Sequence, residues 1–418
     1  MRRADVLHAE VVHAEVPRAV VVGLDCATGV QTARVLAGRG VPVVGVVRDP
    51  RHPCARTRAC ERVVVGDTAS DALVGVLQTL GAGFGARAVL VPCTDMSVLV
   101  ASRCRDALAA AYHVLLPPAD VVELLLDKAR FATFAATAGL PIPPTFVLRG
   151  RDDALHAAAT LRYPAVLKPA VKTPAWERRT TAKVYQAADA AELLALYDRC
   201  AAWADTLVAQ EFIAGEDTDQ YTCNAYFGRG GAPLVTFTTR KLRQWPVTGG
   251  QACLSVEADD AAVRDATFRV FGAAGHRGLA YLEMKRDVRT GAYLIIEPNV
   301  GRPTGRSACA EAAGVELLYT MYCDAVGLPL PERRVQAFRG VKWVYLRRDL
   351  QAALHHWRRG DLTLGAWLRS LRGPKVEALW SWRDPVPFWA DLAHAARVAL
   401  AGRRPRRDAA PTPAPAAP

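Results

Sequence analysis

The chain has 418 residues, of which 51% are hydrophobic, so it can bury the cores of two or three domains. It has no run of about eighteen apolar residues, which argues against a membrane-spanning helix, and its ten cysteines form no CxxC pair. The formal charge of +12 is spread along the chain, apart from a dense arginine group at 403–407, and no nucleic-acid-binding motif accompanies it. We therefore expect a cytoplasmic protein with reduced thiols and no signal peptide that does not bind nucleic acid.

The first part of the chain alternates apolar runs with stretches of helical spacing. Such alternation predicts a parallel α/β sheet, in which helices connect neighbouring strands. We place this domain at 17–118. The apolar runs lie at 19–23, 41–47, 62–65 and 88–92, and the helical stretches at 29–37 and 71–80.

Beyond this domain the pattern of helices and strands is mixed. Two helical stretches end at Gly139 and a group of prolines, and several strands and hairpins follow. This pattern predicts an α+β region at 119–330. Residues 331–402 are rich in Trp and Arg and form a predicted C-terminal accessory region. Residues 403–418 are mostly Arg, Pro and Ala, which predicts a disordered tail.

Two predicted strands near the end of the α+β region carry acidic side chains. Glu297 and Asn299 are two residues apart and therefore share one face of a strand. If the hairpin closes symmetrically about Thr290, Glu283 lies opposite Glu297, whereas a shift of one residue would remove this pairing. Two carboxylates and an amide oxygen suit Mg²⁺, which shares its coordination shell with phosphates and water. Because these acids lie within otherwise apolar strands, we interpret Glu283, Glu297 and Asn299 as metal ligands rather than as solvated surface charges.

Lysine is scarce in this chain, since only eight of the 53 basic residues are lysines. Lysine is a compact point charge, whereas arginine is a planar fork, and the two do not interchange at a tight phosphate site. The remaining lysines therefore indicate positions where a point charge is needed. They are Lys128, Lys168, Lys172, Lys183, Lys241, Lys285, Lys342 and Lys375.

Four segments, in order and at similar spacing, resemble those of the ATP-grasp superfamily. One is the metal-ligand hairpin, which ends in Glu297-Pro-Asn299-Val-Gly-Arg302. The other three are an opening segment, a phosphate-binding strand and an adenine hinge: Leu126-Asp-Lys128 with Gly139-Leu-Pro-Ile-Pro143, Tyr163-Pro-Ala-Val-Leu-Lys168-Pro169, and Gln210-Glu-Phe-Ile-Ala-Gly215. The resemblance covers about 19–330. It implies a Rossmann-like pre-ATP-grasp domain followed by a two-lobed ATP-grasp fold, with a C-terminal accessory region.

The resemblance also implies ATP, Mg²⁺ (two ions, with Mn²⁺ as a substitute) and a role for each site residue. For the ribose hydroxyls Asp217 and Asp219 are both candidates, and we carry Asp219 forward. The implied phosphate ligands are Lys128, Lys168 and Lys183; the implied adenine hinge is Glu211, Phe212 and Ile213; and the implied residues acting on the reacting groups are Arg302, Arg240 and Lys241.

The loop at 170–183 departs from the family pattern. In the family it is rich in glycine, so that backbone N–H groups close over the phosphates. Here it contains no glycine. Lys172, Arg178, Thr180 and Lys183 are the side chains that could replace those backbone groups.

Together these features predict a ligase that joins a carboxylate to an amine through an acyl phosphate, releasing ADP and phosphate. The nearest likeness is to the stand-alone carboxylate–amine ligases of the D-aspartate ligase type, and a homodimer is among the expected assemblies. The alternatives are a bicarbonate-using ligase of the carboxylase type and a non-catalytic nucleotide-binding protein, which only the glycine-free loop favours. An NAD-dependent oxidoreductase is disfavoured, because the loop at 23–29 lacks the G-x-G-x-x-G pattern.

Overall fold

The computed structural model of the protein describes residues 16–180, 182–247 and 249–402. The predicted tail at 403–418 lies outside the described residues, as do the first fifteen positions. Within the described part of the chain, no helix is long and apolar enough to cross a membrane.

The first domain is a parallel α/β sheet, which confirms the predicted fold class. Its elements are β1 (Ala19–Val22), α1 (Ala27–Ala37), β2 (Val43–Val47), β3 (Arg62–Val65), α2 (Ala72–Gly81), β4 (Ala88–Pro92), α3 (Asp95–Arg103), α4 (Arg105–Leu108) and β5 (Tyr112–Val114), with a 3-10 helix at Pro53–Arg56. The strands lie in the order β3-β2-β1-β4-β5. Because the order reverses between β1 and β4, the loops after these two strands border the crevice where such sheets bind ligands.

The second sheet forms a small lobe of mixed helices and antiparallel strands. Its elements are α5 (Ala119–Leu126), α6 (Lys128–Thr137), β6 (Thr145–Leu148), α7 (Arg151–Thr160), β7 (Ala165–Pro169), α8 (Pro174–Arg179), β8 (Tyr185–Ala187), α9 (Ala190–Cys200) and β9 (Leu207–Glu211). The strand order is β6-β9-β7-β8. Helices α7 and α9 pack on this sheet and bury a core of their own, which includes Leu193, Leu167 and Trp176.

The third sheet forms the large lobe. Its first elements are a 3-10 helix (Asp217–Asp219), β10 (Gln220–Phe227), β11 (Pro233–Trp245), β12 (Gln251–Glu257), α10 (Ala261–Ala273), β13 (Gly278–Arg286), β14 (Tyr293–Val300), α11 (Ser307–Ala312) and α12 (Leu317–Val326). The C-terminal region adds β15 (Lys342–Val344), α13 (Leu346–Arg358), α14 (Leu364–Ser370), β16 (Lys375–Glu377) and α15 (Val386–Gly402). The strand order is β14-β13-β10-β11-β12-β15-β16. The sheet therefore continues across residue 330, because β15 pairs with β12.

The first domain packs closely against the large lobe, and two glycines permit this. A Cβ on Gly278 would lie 2.1 Å from the carbonyl oxygen of Leu115, and a Cβ on Gly301 would lie 2.6 Å from Val98. Both glycines also have positive φ, which other residues rarely adopt. This approach brings the end of β14 against the start of α3.

Candidate active site

The predicted pairing of Glu283 with Glu297 is confirmed, although the hairpin does not close symmetrically about Thr290. Glu283 on β13 lies opposite Glu297 on β14, and Tyr281 lies opposite Asn299. The register shifts between Glu283 and Met284, because Met284 pairs with Ile295 and leaves Ile296 as an extra residue in β14. This β-bulge places the two glutamates opposite each other, so that their side chains share one face of the sheet.

The end of this hairpin holds Arg302 in a network with both strands and the first domain. Arg302 donates from Nη2 to Asn299 Oδ1 at 2.6 Å, from Nε to Asp95 Oδ1 at 2.5 Å, and from Nη1 to the Tyr281 hydroxyl. Its guanidinium also lies 5.0 Å from the centre of the Tyr281 ring. Although burial opposes it, Tyr281 and Asp95 raise the pKa of Arg302. Desolvation beside Arg302 raises the pKa of Asp95, but the charge and hydrogen bond of Arg302 outweigh this and hold the pKa below its ordinary value, with half of the Asp95 side chain exposed.

The geometry of the hairpin fits a divalent cation. Two carboxylates lie opposite each other, and Asn299, two residues from Glu297, shares their face of the sheet, where its Oδ1 accepts from Arg302. No group of three or more His, Cys, Asp or Glu side chains that could hold a metal occurs in the described part of the chain. The hairpin therefore offers a small ligand set, of the kind that Mg²⁺ completes with phosphate oxygens and water.

Lysines of the small lobe lie within electrostatic reach of this hairpin. Lys168 on β7 donates from Nζ to Gln210 Oε1 at 3.0 Å. Burial, followed by repulsion from Lys128, lowers the pKa of Lys168 to about 8, while Glu297 raises it. Lys128 begins α6, and its backbone N–H donates to the carbonyl of Ala170 at 3.0 Å. The two lysines are therefore held together beside the start of the glycine-free loop.

The glycine-free loop is folded around a buried tryptophan. Trp176 on α8 is 1% exposed, and its Nε1 donates to the carbonyl of Ala182 at 3.1 Å. The rings of Tyr185 and Trp203 lie 6.0 and 5.8 Å from it. Sequence reasoning did not identify Trp176 as the anchor, because a lone Trp in a basic loop carries no periodic signal.

The same loop brings further lysines toward the site. Burial lowers the pKa of Lys172, and Lys183 and Lys128 lower it further, whereas Glu297 and Asp95 raise it. Lys183 is exposed on the segment that returns to β8. These couplings group Lys172 with Lys183, Lys128, Asp95 and the acidic hairpin.

The predicted hinge lies where the small lobe joins the large one. Hydrogen bonds within the small lobe already use some of its polar groups. The N–H of Glu211 donates to the carbonyl of Pro144, and that of Phe212 to Pro164, each at 3.0 Å. The Glu211 carboxylate accepts from the N–H of Arg162 at 3.1 Å. Ile213 is buried beside them.

Asp217 and Asp219, the two candidates for binding the ribose hydroxyls, differ in their contacts. The Asp219 carboxylate accepts from the N–H of Glu216 at 2.9 Å and from Arg286 at 3.2 Å, so it caps its own turn. Asp217 is partly exposed; burial raises its pKa, while Lys241 and Lys285 lower it. The Asp219 carboxylate is therefore engaged by Glu216 and Arg286, whereas Asp217 is influenced by Lys241 and Lys285.

The basic strand β11 divides its side chains between two faces. Lys241 lies on the face of Glu283, because Thr239 pairs with Thr222 and Thr222 with Glu283. Lys241 donates from Nζ to Gln244 Oε1 at 2.9 Å. Burial lowers the pKa of Lys241, and Glu283 and Asp217 raise it.

Arg240 does not join this cluster. It pairs with Tyr221, is exposed, and projects from the opposite face of the sheet. Arg243 is also separate from the cluster, because it forms a buried ion pair with Asp349 of α13 at 2.8 Å. Of the predicted basic segment, the structure therefore brings only Lys241 to the acidic hairpin.

Two further residues border the site. Arg306 lies 3.7 Å from Glu283 Oε1 and donates from Nη2 to Thr222 Oγ1 at 3.3 Å, and its Nε is buried without a partner among the described residues. Asp95, which sequence reasoning missed, begins α3, three residues after the end of β4. Its position at the carboxyl end of a parallel strand, beside the reversal of strand order, was a signal that could have identified it.

The arrangement of a parallel α/β domain followed by two lobes matches the fold of solved ATP-grasp enzymes. No family model and no curated protein matches the chain. Among solved structures, an ADP complex of N5-carboxyaminoimidazole ribonucleotide synthetase is 14% identical and matches 82% of this chain and 85% of its own, with a TM-score of 0.63.

Two other similar structures represent different reactions of this fold. The biotin carboxylase domain dimer of 2-oxoglutarate carboxylase from Hydrogenobacter thermophilus, with MgADP, ADP and bicarbonate, is 16% identical over 77% of this chain and 72% of its own, with a TM-score of 0.60. The L-amino acid ligase of Bacillus licheniformis is 16% identical over 78% of each chain, with a TM-score of 0.57. At these identities the likeness concerns the fold.

Proposed function

We propose that the protein is an ATP-dependent carboxylate–amine ligase that forms an amide or peptide bond. The observation that carries this proposal is the pairing of Glu283 with Glu297, beside Asn299, within electrostatic reach of Lys168 and Lys172. Opposed carboxylates on one lobe and lysines on the other suit a metal–phosphate complex bound between them. The ADP and MgADP complexes of similar structures support the same nucleotide and metal.

In the proposed site each group has a role that its position supports. Glu283, Glu297 and Asn299 would hold Mg²⁺, as one ion or two, and the metal would supply charge neutralisation for the transferred phosphoryl group. Lys128 and Lys168 bind phosphate oxygens as point charges. The hinge at 211–213 binds adenine, and Asp217 takes the ribose hydroxyls.

The proposed reaction has two steps. The substrate carboxylate attacks the γ-phosphorus and gives an acyl phosphate and ADP, and an amine then attacks the acyl carbon and releases phosphate. Arg302 and Lys241 stabilise the negative charge that develops on the transferred group, since fixed cations in a partly buried cleft act strongly there. Positioning accounts for the remainder of the rate enhancement.

The glycine-free loop has a specific place in this proposal. Because Trp176 pins the loop, its backbone does not need to close as a flexible lid, and Lys172 and Lys183 contact the phosphates in place of backbone N–H groups. The basic side chains around the cleft also favour an acidic substrate, as in ligases of the D-aspartate ligase type. The dimeric carboxylase domain among the similar structures supports a homodimer as the assembly to test first.

The deciding experiment measures ADP release with Mg²⁺-ATP against a panel of amino acids, each offered as acid and as amine. The wild type is compared with Glu297→Gln and with Glu332→Gln, which removes an acid outside the hairpin. Turnover that requires one acid–amine pair, is lost in Glu297→Gln and persists in Glu332→Gln is the expected result. Tight ATP binding without turnover under every pairing would instead favour a non-catalytic nucleotide-binding protein.

A bicarbonate-using ligase of the carboxylase type is the second candidate. The observation in its favour is that one similar structure holds bicarbonate together with MgADP. It predicts ATP hydrolysis that bicarbonate stimulates without any amino acid. Phosphate release in bicarbonate-depleted and bicarbonate-supplemented buffer separates the two candidates.

A further inference from the structure

The C-terminal region presents an apolar surface outside the proposed site. Helix α13 exposes Leu346, Leu350, Leu354 and Trp357, which are 38%, 53%, 41% and 60% exposed. At 100° per residue these side chains fall within one narrow stripe along the helix. The opposite side of α13 packs on β11 and β12 and contains the buried Asp349. The stripe therefore faces away from the core.

An aromatic cluster is linked to the N-terminal end of α13 through Glu377. The N–H of Leu346 donates to Glu377 at 3.1 Å, and Glu377 also accepts from the N–H of Trp380. Trp380 in turn contacts Trp382 and Trp389, with ring centres 5.1 and 6.1 Å away. Trp382 is 87% exposed and Trp389 is 58% exposed. We call these six side chains the C-terminal apolar surface: Leu346, Leu350, Leu354, Trp357, Trp382 and Trp389.

The C-terminal apolar surface lies in the most basic part of the described chain. Residues 331–402 contain thirteen Lys and Arg but six Asp and Glu, a net charge of +7 out of +12 for the whole sequence. Three of these six acids, Asp349, Asp384 and Asp391, are buried, so the outer surface is more basic than the composition alone indicates. Arg358, Arg369, Arg372 and Arg383 are exposed.

The combination of exposed apolar side chains with excess positive charge favours some binding partners over others. A second copy of the chain would bring like charges together in a two-fold symmetric contact. An anionic partner instead gains from the excess of arginine. Leucine and tryptophan on one face of a helix, with arginines around them, are typical of helices that lie in the interface of an anionic membrane.

We propose that the C-terminal apolar surface docks on an anionic phospholipid surface. Helix α13 then lies parallel to the membrane plane, with its leucines inserted at the boundary between headgroups and acyl chains and the tryptophans at headgroup level. The exposed arginines bind lipid phosphates. The inference does not depend on the reaction in the cleft, because none of these six residues belongs to the proposed site.

The test uses the full chain and sedimentation with sucrose-loaded vesicles. One set is phosphatidylcholine alone, and the other is equal parts of phosphatidylcholine and phosphatidylglycerol. The wild type is expected to bind the anionic set and not the neutral one. Leu350→Ser with Leu354→Ser is expected to lower the partition coefficient at least about tenfold, from the apolar area that two leucines bury. The matched control is Leu155→Ser, at a leucine 47% exposed on α7 of the small lobe.

A second measurement does not require a disruptive variant. Brominated phosphatidylglycerol vesicles are expected to quench the tryptophan emission of the wild type, and to quench it less in Trp357→Phe. Absence of binding to anionic vesicles, equal binding by the double serine variant, or equal binding to neutral vesicles would each overturn the proposal. Sedimentation analysis of the double variant could also overturn it. This would be the case if the variant no longer self-associated, or no longer bound an acidic protein, while its binding to vesicles stayed unchanged.

Discussion

Arg302 of the large lobe donates from Nε to the carboxylate of Asp95 in the first domain, at 2.5 Å and across 207 positions of sequence. The same guanidinium donates to Asn299, one of the proposed metal ligands. The first domain therefore contributes directly to the geometry of the proposed site. Asp95 is half exposed on the cleft side, whereas Arg302 is mostly buried.

We expect Asp95→Asn to reduce kcat by about 10- to 100-fold with little change in KM for ATP, because a misplaced Arg302 weakens stabilisation of the reacting group. Steady-state kinetics measures both constants. The control is Asp71→Asn, at an exposed aspartate of the same domain that makes no capping hydrogen bond from its side chain. An unchanged kcat in Asp95→Asn, or an equal fall in both variants, would contradict a positioning role.

Removal of one opposed carboxylate should affect the metal more than the nucleotide. In Glu283→Gln we expect the Mg²⁺ concentration for half-maximal activity to rise by about tenfold or more, since a hard cation loses a charged oxygen ligand. Calorimetric titration of ATP with and without Mg²⁺ checks this, because the benefit of Mg²⁺ for ATP binding should disappear. If Glu283→Gln retained the full benefit of Mg²⁺, the metal assignment would be wrong. Removal of the metal with a chelator should abolish turnover in the wild type.

Nucleotide binding should depend on pH through Lys168. Its pKa is lowered to about 8 in the free protein, so it loses its proton as the pH rises above that value. Bound phosphates favour the charged form and raise the pKa again, so ATP binding should take up a proton above about pH 8 and weaken as the pH rises. Calorimetry in buffers of different ionisation enthalpy measures this uptake. Lys168→Met should abolish it, and Lys375→Met, at an exposed lysine of β16, should leave it intact.

Replacing Trp176, which anchors the glycine-free loop, should lower both the stability of the protein and its affinity for ATP. Trp176→Ala should lower the free energy of unfolding by about 3–5 kcal/mol, because it empties a fully buried aromatic position. Trp382→Ala, at an 87% exposed ring, should change it by less than about 0.5 kcal/mol. Denaturant unfolding provides both values. ATP affinity should also fall in Trp176→Ala and not in Trp382→Ala; equal affinity in the two variants would argue against the loop as a phosphate contact.

The attachment of α13 depends on a buried ion pair. Asp349 is fully buried, and its carboxylate accepts from Arg243 at 2.8 and 3.0 Å and from Trp367 Nε1 at 2.9 Å. Asp349→Asn leaves the Arg243 charge unpaired and should cost about 3–5 kcal/mol. Asp361→Asn breaks an exposed pair with Arg359 and should cost less than about 1 kcal/mol. Thermal or urea unfolding of the two variants separates the cases.

Local patterns predicted much of the fold. The alternation of Val-rich runs with helical spacing predicted the parallel first domain, since strand and helix periodicities are properties of neighbouring residues. The pairing of Glu283 with Glu297 was predicted, because a turn near Thr290 and the alternation of side chains constrain which residues oppose each other. The bulge at Ile296, which keeps Glu283 opposite Glu297, was not predicted.

Local patterns could not show how several of the predicted site residues are placed. Arg240 and Lys241 are neighbours in sequence, and only the pairing of β11 with β10 shows which of them faces Glu283. Asp217 and Asp219 are equivalent by spacing, yet the Asp219 carboxylate accepts from the N–H of Glu216 in its own turn and from Arg286 on β13. The continuation of the large sheet into β15 and β16 likewise depends on pairing between distant segments.

The sequence by itself determined the class of fold, the acidic hairpin and the lysines. Strand alternation and turn chemistry are patterns of neighbouring residues, and the scarcity of lysine is a property of the composition. Only the tertiary structure decided that Asp95 meets Arg302, that Trp176 pins the loop and that α13 exposes its leucines. Those relationships require two surfaces, far apart in the chain, to pack against each other or to remain uncovered. Close packing between distant segments has no local pattern, since it depends on the summed shape of every residue between them.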